Sequence, residues 1–361
     1  MVDWIDRNTK NLFILPSVIL ILIFSVFPLV SSLIFALTRI RPRAGGYNIR
    51  FVGTKNFEKL FFGTEQFHLL GTVGSMNILS YLFVGALLIL IGIWVRKYFQ
   101  GRVTVIGIVG RTISISVFFG IGLLLATTLL IGNNFGTLIT TLIYVLFGCS
   151  VQFLIGLILA YICYMPFKGR AFFRILFFIP LMITPVGIAY QWRMLADMNK
   201  GPFSELWNWV GLGEFAWGSD PWAARTMVML ADAWMWIPFM FIVMLSAIET
   251  VSDDLIEAAE VDGASKWMVF TDVIWPQIAP VAGTVILIRW IEGFKLIDIP
   301  NVLTHGGPGI ATETMTMHSW SLWKALDFSG SSAVAYTLLF VSVVICVSFF
   351  NFVIRRFQAP V

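Results

Sequence analysis

Histidine and cysteine are nearly missing from this chain, at three residues each in 361, and Lys, Arg, Asp and Glu together supply only 12% of it. Soluble domains carry about 25% charged residues, so there are too few ionised groups here to solvate an ordinary globular core. His68, His305 and His318 form no His-Glu-x-x-His pattern. Cys149, Cys163 and Cys346 all fall inside apolar runs, without metal-ligand spacing, and read as small core residues. No Gly-x-x-x-x-Gly-Lys-[Ser/Thr] phosphate loop occurs, so the chain is not expected to hydrolyse ATP itself. No catalytic residue and no metal ligand is therefore predicted. Tandem repeats and low-complexity tracts are lacking, and a net charge of +4 gives no sign of a nucleic-acid partner.

What is abundant is apolar bulk, 58% of the residues, gathered into long runs. That pattern points to lipid as the solvent, since about 20 residues rising 1.5 Å each cross a hydrocarbon core of roughly 30 Å. Eight stretches are long enough, near 11–37, 71–94, 112–132, 136–163, 172–194, 225–248, 281–300 and 332–354. The fold class expected is all-α, a polytopic transmembrane bundle. Phe at 33 and Trp at 14 suit lipid-facing bulk and interfacial belts. The first run exceeds the 7–15 residues of a signal-peptide core and has no small-x-small cleavage site, so it is expected to persist as a helix.

Short loops rich in Lys and Arg mark the cytoplasmic side. Arg96, Lys97, Arg102 and Arg111, then Lys168, Arg170 and Arg174, then Arg355 and Arg356 share one side if the spans alternate, which places both termini inside. One segment disagrees. Arg39, Arg41, Arg43, Arg50, Lys55 and Lys59 follow the first span and fall outside, against only Arg7 and Lys10 at the N-terminus. Another outward loop, 195–224, holds Asn199-Lys200-Gly201-Pro202 and Trp207, Trp209, Trp217 and Trp222, suited to interfacial anchoring or to docking a partner.

The loop between the sixth and seventh spans has a definite local physics. Ser252 or Asp253 can cap a helix whose first turn is acidic, which complements the helix dipole. Glu257-Ala258-Ala259 continues it with small helix formers, and Gly263 ends it where positive φ is needed. A second helix from about Ser265 is expected to stop at Pro276.

This segment resembles the Glu-Ala-Ala loop of ATP-binding-cassette import permeases. Glu257-Ala258-Ala259, Gly263 and Pro276 match, while Val273 and Trp275 replace the usual Ile and Leu. The chain is most similar to the carbohydrate branch that includes the larger maltose permease subunit. The likeness also rests on Phe51–Phe57, Arg174–Pro180, Ser219-Asp220-Pro221 and Leu303–Gly309, and covers about 11–67 and 136–356. It implies a six-span importer permease core, with 68–135 as an inserted two-span hairpin between an N-terminal segment (1–67) and the core (136–361). It implies that the coupling loop 249–280, through Glu257, Ala258, Ala259, Asp262 and Gly263, docks on a separate ATPase. No cofactor is expected on this chain; ATP and Mg would sit on that ATPase. The further partners implied are a second homologous permease, a second ATPase subunit, an extracytoplasmic sugar-binding protein and lipid, in a bacterial inner membrane.

Charges within spans usually face a cavity or one another. The seventh span carries Arg289, Glu292, Lys295 and Asp298 at intervals of three, either a self-neutralising ladder or groups lining a transport path. In the second case Arg289 and Glu292 would bond sugar hydroxyls. Positions carried over from the maltose permease are Leu181, Pro185, Met235, Trp236, Phe239, Arg289, Gly293 and Leu296, several unable to hydrogen-bond. Asp232 and Tyr190 are additional polar candidates, and Trp236 and Phe239 could stack on a sugar face. Pro180, Pro185 and Pro238 would permit kinks. The competing function is an ion-coupled secondary transporter of a small polar solute. It has no use for a helix–Gly–helix dock, and no internal repeat of the kind common in such folds is found.

Overall fold

The computed structural model describes residues 13–99, 105–131, 134–166, 168–198, 200–211 and 216–351. Arg7, Lys10, Arg102, Asn199, Arg355 and Arg356, and the side chain of Lys97, lie outside the described residues. Among the described residues, seven helices are long and apolar enough to cross a membrane, and a bent helix pair makes an eighth candidate. In chain order they are α1 (Phe13–Ala36), α2 (Ile78–Phe99), α3 (Val105–Thr127), α4 (Thr137–Tyr164), the pair α5 (Arg170–Met182) and α6 (Pro185–Leu195), α7 (Pro221–Glu249), α9 (Lys266–Gly293) and α12 (Phe328–Phe349). Shorter helices lie between the long ones: α8 (Asp253–Val261), α10 (Asp298–Leu303) and α11 (Met315–Lys324). The all-α expectation is met, with seven to eight candidate spans against the about eight expected, and one two-stranded ribbon is added among the described residues.

The chain divides into two compact units. The larger comprises Phe67–Met317 and Leu338 onward. Its apolar core is built where α4, α7 and α9 meet: Phe153, Ala160 and Cys163 interlock with Met240, Phe241, Met244 and Ile248, and with Ile274, Ile278 and Val285. Gly156 allows the closest approach, because a Cβ there would stand 2.5 Å from Met240 Cβ and 3.0 Å from the Phe241 nitrogen. In lipid, helices associate through such close backbone contact rather than through a hydrophobic driving force. Gly156→Val should therefore destabilise the folded chain by about 1–3 kcal/mol or more, seen as a lowered melting temperature in detergent; an unchanged melting temperature would contradict this packing.

Several boundaries move for identifiable reasons. The second span starts at Ile78 rather than near 71, because Asn77 Oδ1 accepts from the Ser80 amide (2.8 Å) and opens the helix there. The expected straight span over 172–194 is instead broken, with a turn at Ile179–Met182 and a bend of 102° before Pro185. Pro180 and Pro185 cannot donate to a helical ladder, and Thr184 caps the new start by accepting from Gly187 (3.3 Å). Pro238 lies inside the unbroken α7.

The two ends of the broken pair are tied to the two ends of α7. Arg174, near its start, bonds Glu249 at the C-terminal end of α7 (2.6 Å). Ala196, at its finish, accepts from Trp217 Nε1 just before the N-terminal end of α7 (2.8 Å). That helix is 29 residues long, or about 43 Å.

The seventh span also differs from expectation. It runs continuously from Lys266 to Gly293, not over 281–300, and Pro276 does not stop a separate helix. A π-helical stretch, Val269–Ile274, precedes Pro276, which then sits in the first turn of the α-helical part, where no amide donor is needed. The helix ends at Gly293, so Lys295 and Asp298 lie beyond it, Asp298 at the start of α10.

The smaller unit comprises the chain through Gln66 together with His318–Thr337. Strands β1 (Thr38–Arg43) and β2 (Gly46–Phe51) form an antiparallel ribbon directly after α1, closed by Gly45 and Gly46 at φ +89° and +152°. The Tyr336 hydroxyl donates to the Leu29 carbonyl, joining α1 to the first half of α12.

Candidate functional site

Three polar side chains from three spans meet inside the larger unit. Gln152 comes from α4, Asp232 from α7 and Arg289 from α9. Arg289 is 1% exposed and Asp232 3%, so both charges are out of reach of solvent. The guanidinium pairs with Asp232 Oδ2 and donates through Nε to Gln152 Oε1 (2.9 Å), while Gln152 Nε2 donates to the same Asp232 oxygen (2.7 Å). Trp236, one turn after Asp232, places its ring 4.5 Å from the Arg289 guanidinium carbon. Each group thereby meets a partner of opposite charge or polarity, as a low-dielectric interior requires.

Gly293 makes room for this arrangement, since a Cβ there would stand 3.3 Å from Arg289 Nη1 and 3.2 Å from Val145. Two buried atoms nearby have no hydrogen-bond partner among the described residues, Asp232 Oδ1 and the Tyr144 hydroxyl. Tyr144 packs in one apolar cluster with Ala231, Met235 and Ile299, against which Trp236 and Leu296 also lie.

The four-charge ladder is thus not formed. Arg289 pairs across helices, while Glu292 turns to Lys295 in an exposed ion pair (2.7 Å) and Asp298 is exposed on α10. Of the expected path residues, Asp232, Met235, Trp236, Arg289, Gly293 and Leu296 belong to this neighbourhood. Phe239 meets the Trp236 ring edge-on at 5.8 Å. Leu181 and Pro185 flank the bend, and Tyr190 is exposed on α6. Gln152 was not singled out from the sequence, although a lone amide inside the apolar run 136–163 was a usable signal.

The second constellation is α8 and the turn after it. Asp253 and Asp254 occupy its first turn, and Ser252 holds the capping position with extended backbone but without a side-chain bond. The helix ends as expected, with Gly263 at φ +84° and the Ala264 amide returning to the Ala259 carbonyl (3.0 Å). Ile256, Ala259 and Ala264 pack on the core of α4, α7 and α9. Glu257, Ala258, Asp262 and Gly263 face outward. With them are exposed Leu255, Val261 (88%), Trp267 and Met268, an apolar surface set among five carboxylates. Lys266 is exposed beside Trp267, and exposed apolar area rimmed by polar and charged groups is the mark of a docking face.

The loops at the N-terminal end of α7 are stapled together. Arg225, in the first turns of α7, donates to the Ala311 carbonyl (2.7 Å) and lies 3.9 Å above the Phe135 ring. Trp207 and Trp217 donate to the carbonyls of Leu195 and Ala196, so those two close the loop on itself, while Trp209 and Trp222 stay exposed.

Residues 152–359 match the family described as binding-protein-dependent transport system inner membrane component. The trehalose/maltose transport system permease protein MalF of Thermococcus litoralis is 30% identical over 186 residues, 52% of this chain and 63% of that protein. The trehalose transport system permease protein SugA of Mycobacterium tuberculosis is 28% identical over 213 residues, 58% of this chain and 66% of that one. The chain thus spans just under two thirds of the length of each of these two relatives. A solved bacterial alginate ABC transporter, in complex with a pentasaccharide-bound periplasmic protein, contains a chain of similar fold at TM-score 0.62 and 18% identity. That match covers 100% of this chain and 99% of its counterpart, so the span pair α2–α3 falls within the shared fold.

Proposed function

Because the chain belongs to the family of binding-protein-dependent transport system inner membrane components, we propose that it is a permease subunit of an ATP-driven carbohydrate importer. The observation that carries this reading is α8: an exposed acidic helix, ended by a glycine at positive φ and rooted in the core of α4, α7 and α9. A helix so rooted transmits a push from outside to three spans at once. Its carboxylates and exposed Val261 and Trp267 suit a basic cleft with an apolar floor on an ATPase subunit. ATP and Mg would reside on that subunit, two copies serving this chain and a homologous permease.

Carbohydrate as cargo is supported by the names of the relatives and by the chemistry of the buried site. Tyr144, Asp232, Gln152 and Arg289 offer hydroxyl-bonding groups, and Trp236 an aromatic face. An extracytoplasmic binding protein delivers the sugar to the side bearing Trp209 and Trp222. The opposite side, with α8, Arg96, Arg111 and Arg174, is cytoplasmic; eight crossings then place both termini there, in a bacterial inner membrane.

The test is ATP hydrolysis by the assembly co-purified through this chain, with its binding protein and a panel of sugars. Stimulation of at least several-fold by one sugar is expected. Failure of any ATPase to co-purify would overturn the reading.

A further inference from the structure

The ribbon β1–β2 carries the basic residues that the topology places on the non-cytoplasmic side, and nothing in the transport reading uses them. Alternation along β1 puts Arg39, Arg41 and Arg43 on one face, and the register Arg39↔Arg50 adds Arg50 to it. All four are exposed. None lies within ion-pair distance of a carboxylate among the described residues. The acids of this unit are engaged elsewhere: Glu65 and Asp327 with Lys59 (3.3 and 3.7 Å), Glu58 with the Thr54 hydroxyl (2.8 Å). Like charges directly across a ribbon repel, so Arg39 opposite Arg50 weakens the pairing unless an anion sits against both.

The other face is apolar: Ile40, Tyr47, Ile49 and Phe51, the last 72% exposed. Both ends of the ribbon are held at span ends. At the base, the Val52 and Gly53 amides bond the Leu37 carbonyl (2.9 and 3.0 Å), one residue past α1. Along its length, the Ile40 amide donates to the Ser329 hydroxyl (3.0 Å) and Tyr47 meets Phe328 edge-on (6.0 Å), both in the first turn of α12. The strip is thus tethered at one end to the close of one span and, further along, to the opening of another. One basic face and one aromatic-aliphatic face is the composition of elements that settle in the interface over anionic lipid.

We propose that the ribbon Thr38–Phe51 is an interfacial clamp that binds anionic phospholipid headgroups of the outer leaflet through Arg39, Arg41, Arg43 and Arg50, with Ile49 and Phe51 seated among the upper acyl chains. Bidentate guanidinium–phosphate contacts relieve the mutual repulsion of the arginines and fix the outer ends of α1 and α12 at headgroup depth.

The experiment uses the full chain, alone and co-assembled with its partner subunits, with Cys149, Cys163 and Cys346 replaced by alanine and a bimane fluorophore on Ile49→Cys. Quenching is read in nanodiscs containing spin-labelled phosphatidylglycerol or spin-labelled phosphatidylcholine. The phosphatidylglycerol preference should reach roughly tenfold at low salt and fall as salt is raised. It should vanish in the fourfold Arg→Gln variant and largely survive in the fourfold Arg→Lys variant, which keeps the charge. Equal quenching by both lipids, or an unchanged preference in the Arg→Gln variant, overturns the proposal. So does loss of all lipid quenching on assembly, which would mean that a subunit covers the face. An unaltered lipid preference with weakened affinity for the binding protein would assign the arginines to protein docking instead.

Discussion

Replacing Asp232 with leucine is expected to cost about 3–5 kcal/mol, because it strands the Arg289 guanidinium in a dry interior with Gln152 as its remaining polar partner. The measurement is thermal unfolding of the purified chain in detergent, beside Arg289→Met and the double variant. Removing both charges leaves no ion to solvate, so the double variant should regain most of the lost stability, and the double-mutant cycle should show strong coupling. Simple additivity would mean that the pair does not act as a unit. The same double variant separates structure from transport: with stability restored, loss of sugar-stimulated ATP hydrolysis would show that the charges also serve the cargo.

A second large effect is expected at the turn after α8. Gly263 sits at φ +84°, a conformation that a β-branched residue adopts only with strain, so Gly263→Val should re-aim the helix relative to the core that roots it. Nothing lies within 4 Å of where its Cβ would stand, so the substitution meets no clash and the chain should still insert and fold. Uptake should fall at least roughly tenfold, the equivalent of about 1.4 kcal/mol in coupling, while the amount of folded chain in the membrane stays close to wild type. Glu257→Lys, exposed on the same helix, should do likewise by reversing the charge presented to the basic cleft proposed for the ATPase. Normal uptake in both variants would remove α8 from the coupling path.

The two constellations differ in how far they could be read in advance. The helix over Glu257–Ala259 and its stop at Gly263 were legible because local residues cause them: an acidic first turn, small helix formers, a glycine where φ turns positive. Its exposed apolar surface was only partly legible, since Val261, Trp267 and Met268 become outward-facing only once Ile256 and Ala259 pack inward. The buried triad was half legible. Arg289 and Asp232 could be named as charges inside spans, yet intervals of three suggested that Arg289 would pair along its own helix. It pairs instead with residues 57 and 137 positions away.

By itself the amino-acid sequence determined that this chain lives in lipid, that it carries about eight apolar runs of span length, and where the short acidic helix starts and stops. Each follows from residues near one another in the chain: apolar runs of span length, capping and helix-ending residues. The tertiary structure decided that α5 and α6 meet at a sharp bend rather than as one straight helix, that α9 is continuous through Pro276, that Arg289 answers to Asp232 rather than to Glu292, and that four arginines share one face of a ribbon held at two helix ends. These depend on which helices become neighbours. A buried charge takes the partner that the packing of α4, α7 and α9 brings within hydrogen-bond distance, because in a dry interior any other partner would leave it unpaired.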